Sequence, residues 1–169
     1  MPAPRLDQGP VVDLLNTVWA DRSGVHDELA DAGAAHRKLR DALRVLAADR
    51  TADPRPVAAG HRDGVAEAVA TLNATAALAP AWPTLVDGRL EWASLAQGDA
   101  RTLGELAGEA VRFLAADPEL RACLAPGCVL YFVKDHPRRA WCSTACGNRE
   151  RAARHYARRR AARAGGTAS

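Results

Sequence analysis

Four cysteines close together near the end of a 169-residue chain restrict its folding more than any other feature. They fall as Cys123-x4-Cys128-x13-Cys142-x3-Cys146, and the rest of the sequence contains no other cysteine. Two close pairs joined by a hairpin-sized spacer suit tetrahedral zinc, because each pair turns tightly enough to aim two sulfurs at one ion. Pro126-Gly127 supplies the turn of the first pair. Residues 129–133 are β-prone, 134–139 turn-like, and 140–141 are expected to return as the second strand of a hairpin. Ser143 is placed to cap a helix beginning just after Cys142. Cys142 and Cys146 would then sit at a helix N-terminus, where the macrodipole favours negative sulfur. Knuckle, hairpin and helix in that order describe a treble-clef-like finger. Disulfides are disfavoured where thiols stay reduced, cysteines used as small apolar residues would scatter, and neither pair is the C-x-x-C of thiol redox proteins. His136 and His155 are read as surface residues, not ligands.

Charge divides the chain at nearly the same place. Residues 1–120 carry 12 Lys+Arg against 18 Asp+Glu, whereas residues 121–169 carry 11 against 2. Four thiolates around zinc take about two charges from that basic excess, leaving a balance of about +7. Arg149, Arg151, Arg154, Arg158, Arg159, Arg160 and Arg163 follow the last cysteine. At helical spacing Arg151, Arg154 and Arg158 share one face, while Arg149, Tyr156, Arg160 and Arg163 share another. Arginine rows of this kind pair with phosphates and with guanine edges. The plain alternative is a solvated tail that aids solubility.

The chain is rich in Ala and has only 5% aromatics, which favours a body of helices packed through small side chains. Residues 1–10 look like a loose leader. Apolar spacing predicts helices over 11–19, 35–48 and 99–116, and Asp53-Pro54 is a helix-start signal opening a helix to about Leu78. Val57, Val65, Val69, Leu72 and Ala76 are expected to face inward there, with Gly60 and Gly64 weakening its first half. Residues 20–34 are expected to be a loop. Asp87-Gly88 between two apolar runs predicts a hairpin over 83–93. The fold class is therefore α+β: a mostly helical domain over 11–117 with one β-hairpin, then a small treble-clef-like zinc finger over 118–163 ending in a basic helix. A fragment ending at residue 117 is expected to fold by itself, since the helical stripes all precede it.

Trp141-Cys-Ser-Thr-Ala-Cys-Gly-Asn-Arg149 resembles the CGNR zinc finger family, whose name is spelled by Cys146-Gly147-Asn148-Arg149. The resemblance runs from Cys123 to about Arg160 and includes Tyr131-Phe132 and the Arg138–Cys142 lead-in. It implies Cys123, Cys128, Cys142 and Cys146 as zinc ligands. In such proteins the finger follows a domain called ABATE, described as a stress-induced transcription regulator, and residues 11–115 resemble it more weakly through Asp13–Thr17, Leu72-Asn73 and Asp87-Gly88. Asn148 fits support of the cysteine knuckle or contact with a base or phosphate, and Arg149 fits a thiolate, a carboxylate or a phosphate.

These readings together predict a bacterial, DNA-binding, zinc-dependent transcription regulator, with Arg149, Arg151, Arg154, Arg158, Arg159 and Arg160 as nucleic-acid contacts. RNA binding and a zinc-stabilised protein-interaction module are the alternatives, and a homodimer and a small-molecule effector are left open. Asn16-Thr17 reads as a cap or turn, and Trp19, Trp82 and Trp92 as core residues, rather than as the lining of an effector cavity. No nucleophile–base arrangement, phosphate loop or dinucleotide motif occurs, so no enzymatic activity is expected. No run of about 18 apolar residues and no signal-peptide layout are present, which places the protein in the cytoplasm, away from membranes.

Overall fold

A computed structural model describes residues 4–58 and 64–165. Its elements in chain order are α1 (Pro10–Leu15), β1 (Val18–Asp21), β2 (Gly24–Asp27), α2 (Ala34–Arg50), a 3-10 turn (Pro56–Ala58), α3 (Val65–Ala76), β3 (Ala81–Val86), β4 (Arg89–Ser94), α4 (Gly98–Ala115), β5 (Leu120–Ala122), β6 (Tyr131–Val133) and α5 (Thr144–Gly165). The class is α+β, with helices and three separate two-stranded antiparallel pairs among the described residues.

Helix α2 packs on α3, and α3 on α4, with α1 lying against α2 and α4. Leu39 and Leu43 of α2, Leu72 of α3, and Leu103, Ala107 and Ala110 of α4 form one buried stripe each, as their spacing requires. Small residues set the separation of these layers. A Cβ on Gly104 of α4 would lie 2.5 Å from the Cβ of Ala79, so only glycine lets the chain leaving α3 pass this close. Ala68 and Leu72 face inward on α3, whereas Val69 is 43% exposed, one position off the stripe and contrary to expectation.

Several local expectations change. Residues 18–27 form a hairpin, β1–β2, reaching into the stretch expected to be a loop, so among the described residues the body has two hairpins and not one. Asp21 builds its turn by accepting bonds from the Ser23 N–H (2.7 Å), the Ser23 hydroxyl (2.6 Å) and His26 Nε2 (2.9 Å). The ring of Trp19 stacks on His26 across the strands, centroids 4.1 Å apart. Helix α1 ends at Leu15 because Asn16 and Thr17 cap it, the Thr17 hydroxyl donating to the Leu14 carbonyl at 2.9 Å. Asp53 opens no long helix. Its carboxylate accepts the Arg55 N–H at 3.0 Å, a 3-10 turn follows, and α3 begins only at Val65. Gly60, expected to weaken that helix, lies outside the described residues. The Asp87-Gly88 hairpin forms as read: φ is 48° at Asp87 and 76° at Gly88, the paired positive values of a tight two-residue turn.

The packing does not break near residue 117. Leu120 and Tyr131, both on the β5–β6 pair, belong to the same buried cluster as Leu15, Leu39, Leu43 and Leu103. Two carboxamides act as a third strand along the open edge of β6. Asn16 Nδ2 donates to the Tyr131 carbonyl and Asn16 Oδ1 accepts the Tyr131 N–H, each at 2.9 Å. Gln8 Nε2 and Oε1 make the same pair of bonds with Val133, at 2.7 and 2.9 Å. Gln8 therefore ties down a segment expected to be loose. A fragment ending at residue 117 would lack Leu120 and Tyr131 from its core and leave Asn16 buried without partners, so it would not keep this core.

Replacing Asn16, 2% exposed, with Ala strands a buried N–H and a buried carbonyl of Tyr131. We expect it to cost about 2–4 kcal/mol, read as a lowered midpoint of denaturant unfolding with an unchanged slope.

Candidate metal centre

The first cysteine pair sits in the loop that joins β5 to β6. The Cys123 N–H donates to the Leu130 carbonyl at 2.9 Å, and the Cys128 N–H to the Ala125 carbonyl at 2.9 Å, closing the knuckle. Gly127 supplies the left-handed residue of that turn, with φ 71°. The partner strand differs from expectation. β6 pairs with β5, Leu120 facing Val133 and Ala122 facing Tyr131, and residues 140–141 form no strand. The knuckle reverses the chain within a few residues, so the strand before Cys123 is the nearest edge for β6 to meet.

The second pair straddles the start of α5. Ser143 caps this helix: its hydroxyl accepts the Cys146 N–H at 3.2 Å and its carbonyl accepts the Gly147 N–H at 3.1 Å. Cys146 thus occupies the first turn, with Cys142 just before it. Arg139 holds the approach, donating to the Cys142 carbonyl at 3.1 Å and to Asp135 at 2.6 Å while lying against the Phe132 ring.

All four sulfurs lie within 4.8 Å of one another, and all four residues are buried. Cys128 to Cys142 measures 3.8 Å and Cys142 to Cys146 3.4 Å. Sulfurs about 2.3 Å from a tetrahedral zinc stand about 3.8 Å apart, so this donor set has the dimensions as well as the chemistry for that ion. No disulfide joins them. Sulfurs this close perturb one another: hydrogen bonding with the other thiols, Cys123 first in each case, lowers Cys146 and raises Cys142. Cys123 is lowered to about 6, chiefly by its bond with Cys128. Such a cluster carries several thiolates together only with a cation among them.

Residues 119–159 match the CGNR zinc finger. The described structure and this match agree on a zinc-binding finger with four cysteines. Among curated proteins the chain has no match.

The residues that name the CGNR finger have distinct places. A Cβ on Gly147 would lie 3.1 Å from Cδ1 of Trp141, so glycine lets that indole cover the sulfurs. Asn148 does not support the knuckle as expected; it is exposed, and its carbonyl oxygen accepts from the Arg151 guanidinium. Arg149 turns back, its Nη2 donating to Cys146 Sγ at 2.9 Å. A guanidinium on a sulfur offsets thiolate charge and fixes the ligand's direction. It is thereby directed away from the nucleic-acid role it was also assigned. His136 and His155 are exposed, as expected of non-ligands.

Sequence reasoning missed the groups that hold the finger from outside. Arg55 Nη1 donates to the carbonyls of Cys123 (3.3 Å), Cys128 (3.2 Å) and Leu130 (3.0 Å), three oxygens of the knuckle. Its other nitrogens grip Asp53, whose side chain is fully buried and also accepts the Tyr131 hydroxyl at 2.7 Å. Burial alone would raise the Asp53 carboxyl, but bonds from Arg55 and Tyr131 outweigh it and hold the group below its usual range. Burial, reinforced by Asp53, pushes Tyr131 up to about 12. Arg44, 4% exposed, reaches the same place, donating to the carbonyls of Leu15 at 2.8 Å and Val129 at 3.2 Å. Trp19 and Leu6 complete the wall around the sulfurs. The local signal for this arrangement is Asp53-Pro54-Arg55, which taken alone reads as a helix cap.

Purified full-length protein is expected to contain about one zinc per chain by elemental analysis. Cys142→Ser should lower that content and, because Trp19 belongs to the sulfur cluster, change the protein's tryptophan emission as well. Asp53→Asn should destabilise by about 3 kcal/mol at neutral pH, since it leaves Arg55 buried without its charge partner. The folded Asp53 carboxyl lies below its unfolded value, so its contribution is complete above about pH 5 and fades as pH falls through the folded value. The stability gap between wild type and Asp53→Asn should therefore narrow below about pH 4, measured by denaturant titration.

Proposed function

We propose that Cys123, Cys128, Cys142 and Cys146 ligate a structural zinc that holds α5 out as a DNA-contacting helix of a transcription regulator. The protein then acts by binding, not catalysis. The observation that carries this reading is the exposure of α5. From Arg151 to Arg163 only Ala153 is even partly covered. Among the described residues, Arg158, Arg159, Arg160 and Arg163 have no ion-pair partner, while Arg154 meets Glu150 at 3.3 Å and Arg151 meets Asn148. A long cationic helix with no apolar stripe has nothing to pack on, and zinc fixes only its first turn. Its 22 residues extend roughly 33 Å, enough to lie along a major groove. Ala157 and Ala161 keep one side slim. By helical spacing Arg151, Arg154 and Arg158 share the side opposite Arg149, with the Arg151 guanidinium lying back beside Gly147 and Trp141.

Stacking of bases on aromatic rings, which marks single-stranded RNA recognition, finds little on α5 and the β5–β6 pair. Tyr131 and Phe132 are 0% and 1% exposed, leaving Tyr156 as the aromatic available on the helix. Among the described residues no helix is long and apolar enough to cross a membrane, which fits a partner met in water.

Binding to random duplex DNA should weaken steeply with salt, with log affinity falling against log salt at a slope of roughly −4 to −5 if four to six arginines meet phosphates. Replacing Arg151, Arg154 and Arg158 together with Ala should flatten the slope by about three units. Filter binding of zinc-loaded wild type and variant to duplex, hairpin RNA and single strands reads this directly. No binding to any of the three would reject nucleic-acid function. A tenfold or greater preference for RNA would replace DNA as the partner.

A further inference from the structure

The β3–β4 hairpin has a face with no tenant. Facing pairs in its register are Ala81 with Ser94, Pro83 with Trp92, and Leu85 with Leu90, all on one side; Trp82 with Ala93, Thr84 with Glu91, and Val86 with Arg89 lie on the other. The second side is the more covered, Thr84 and Ala93 being half-buried. The first side is bare apart from Ser94, which is half-buried at the strand end. Leu85 is 79% exposed, Leu90 67% and Trp92 64%, and no charged residue interrupts them. Among the described residues the hairpin's two strands pair only with each other, which leaves both outer edges without a strand partner there.

An isolated two-stranded hairpin is at best marginally stable in water. Placing its most apolar residues outward adds a hydration penalty that folding of one chain does not remove. Pro83, Leu85, Leu90 and Trp92 expose on the order of 500 Å², at the upper end of the patches that monomers carry. With the residues around them this approaches the roughly 600–800 Å² per partner of a standard interface.

We propose that this face is a self-association surface, on which the β3–β4 hairpin of a second copy of the chain stacks face to face. An uncharged face is complementary to itself: a two-fold contact places Leu85, Leu90 and Trp92 against the same residues of the second copy, with no like charges opposed. Arg89 and Glu91 stay on the opposite side of each hairpin, in water. The inference is independent of DNA binding, and a dimer would present two basic helices.

The test is sedimentation velocity of the full-length, zinc-loaded protein, from about 1 to 100 μM, the range in which a standard-size interface assembles. Wild type is expected to be a dimer over most of that range. L85D/L90D should be monomeric throughout, with an unchanged circular dichroism spectrum, because both positions are exposed within one chain. V25D, altering a residue 65% exposed on β2, should dimerise like wild type. A monomeric wild type at about 100 μM would overturn the proposal and leave the face to a different partner. So would a dimer that persists in L85D/L90D or is lost equally in V25D.

Discussion

The structure turns on the burial of Tyr131. Its backbone is taken by the Asn16 carboxamide, its hydroxyl by Asp53, and its ring lies 4.7 Å and 5.2 Å from the guanidinium carbons of Arg55 and Arg44. Each of these partners does something further. Asn16 ends α1, Asp53 orients Arg55, Arg55 draws together the carbonyls of the cysteine knuckle, and Arg44 bridges the end of α1 to the start of β6. Loss of the ring would leave two guanidinium groups and a carboxylate buried with incomplete partners, which costs far more than the lost contact area.

The cysteine cluster is consequently not a bead on a string. Small zinc modules commonly draw their folding energy from the metal because they have little core of their own. Here the knuckle is also held from behind by Arg55 and walled by Trp19 and Leu6, all from the first third of the chain. Binding of the metal and packing of the helical body are coupled through those contacts, since the carbonyls that Arg55 grips belong to Cys123 and Cys128 themselves. That coupling gives a physical route by which a change in the body could reach α5.

Charge is arranged to the same end. Arg40, Arg44 and Arg55 are spent inside, on Asp27, on carbonyls and on Asp53, and Arg149 on the sulfur of Cys146. The arginines further along α5 are left to the solvent. Proximity to the thiolates separates the two uses: a guanidinium one turn past Cys146 can return to it, and one three turns past cannot.

Periodicity and spacing were enough to place much of this molecule. The 4-13-3 cysteine spacing announces a tetrahedral sulfur site, Ser143 announces the start of α5, the leucine stripes place α2 and α4, and Asp87-Gly88 sets a turn in which both residues need positive φ. Each is a local signal, decided within a few residues of chain. What remained illegible depends on pairs far apart in sequence. Nothing near Gln8, Asn16 or Asp53 tells that they serve Tyr131 and Val133, because a carboxamide that caps a turn and one that completes a strand look alike until the strand arrives. Gly104 reads as an ordinary weak spot in a helix until Ala79 is seen to pass against it. Trp82 and Trp92 read as core by their size, yet the hairpin carrying them projects from the helices and exposes both. The residue types determined which elements form and where the sulfurs converge; only the tertiary fold decided which strand pairs with β6 and which arginines remain free, because those outcomes depend on distances that no local spacing encodes.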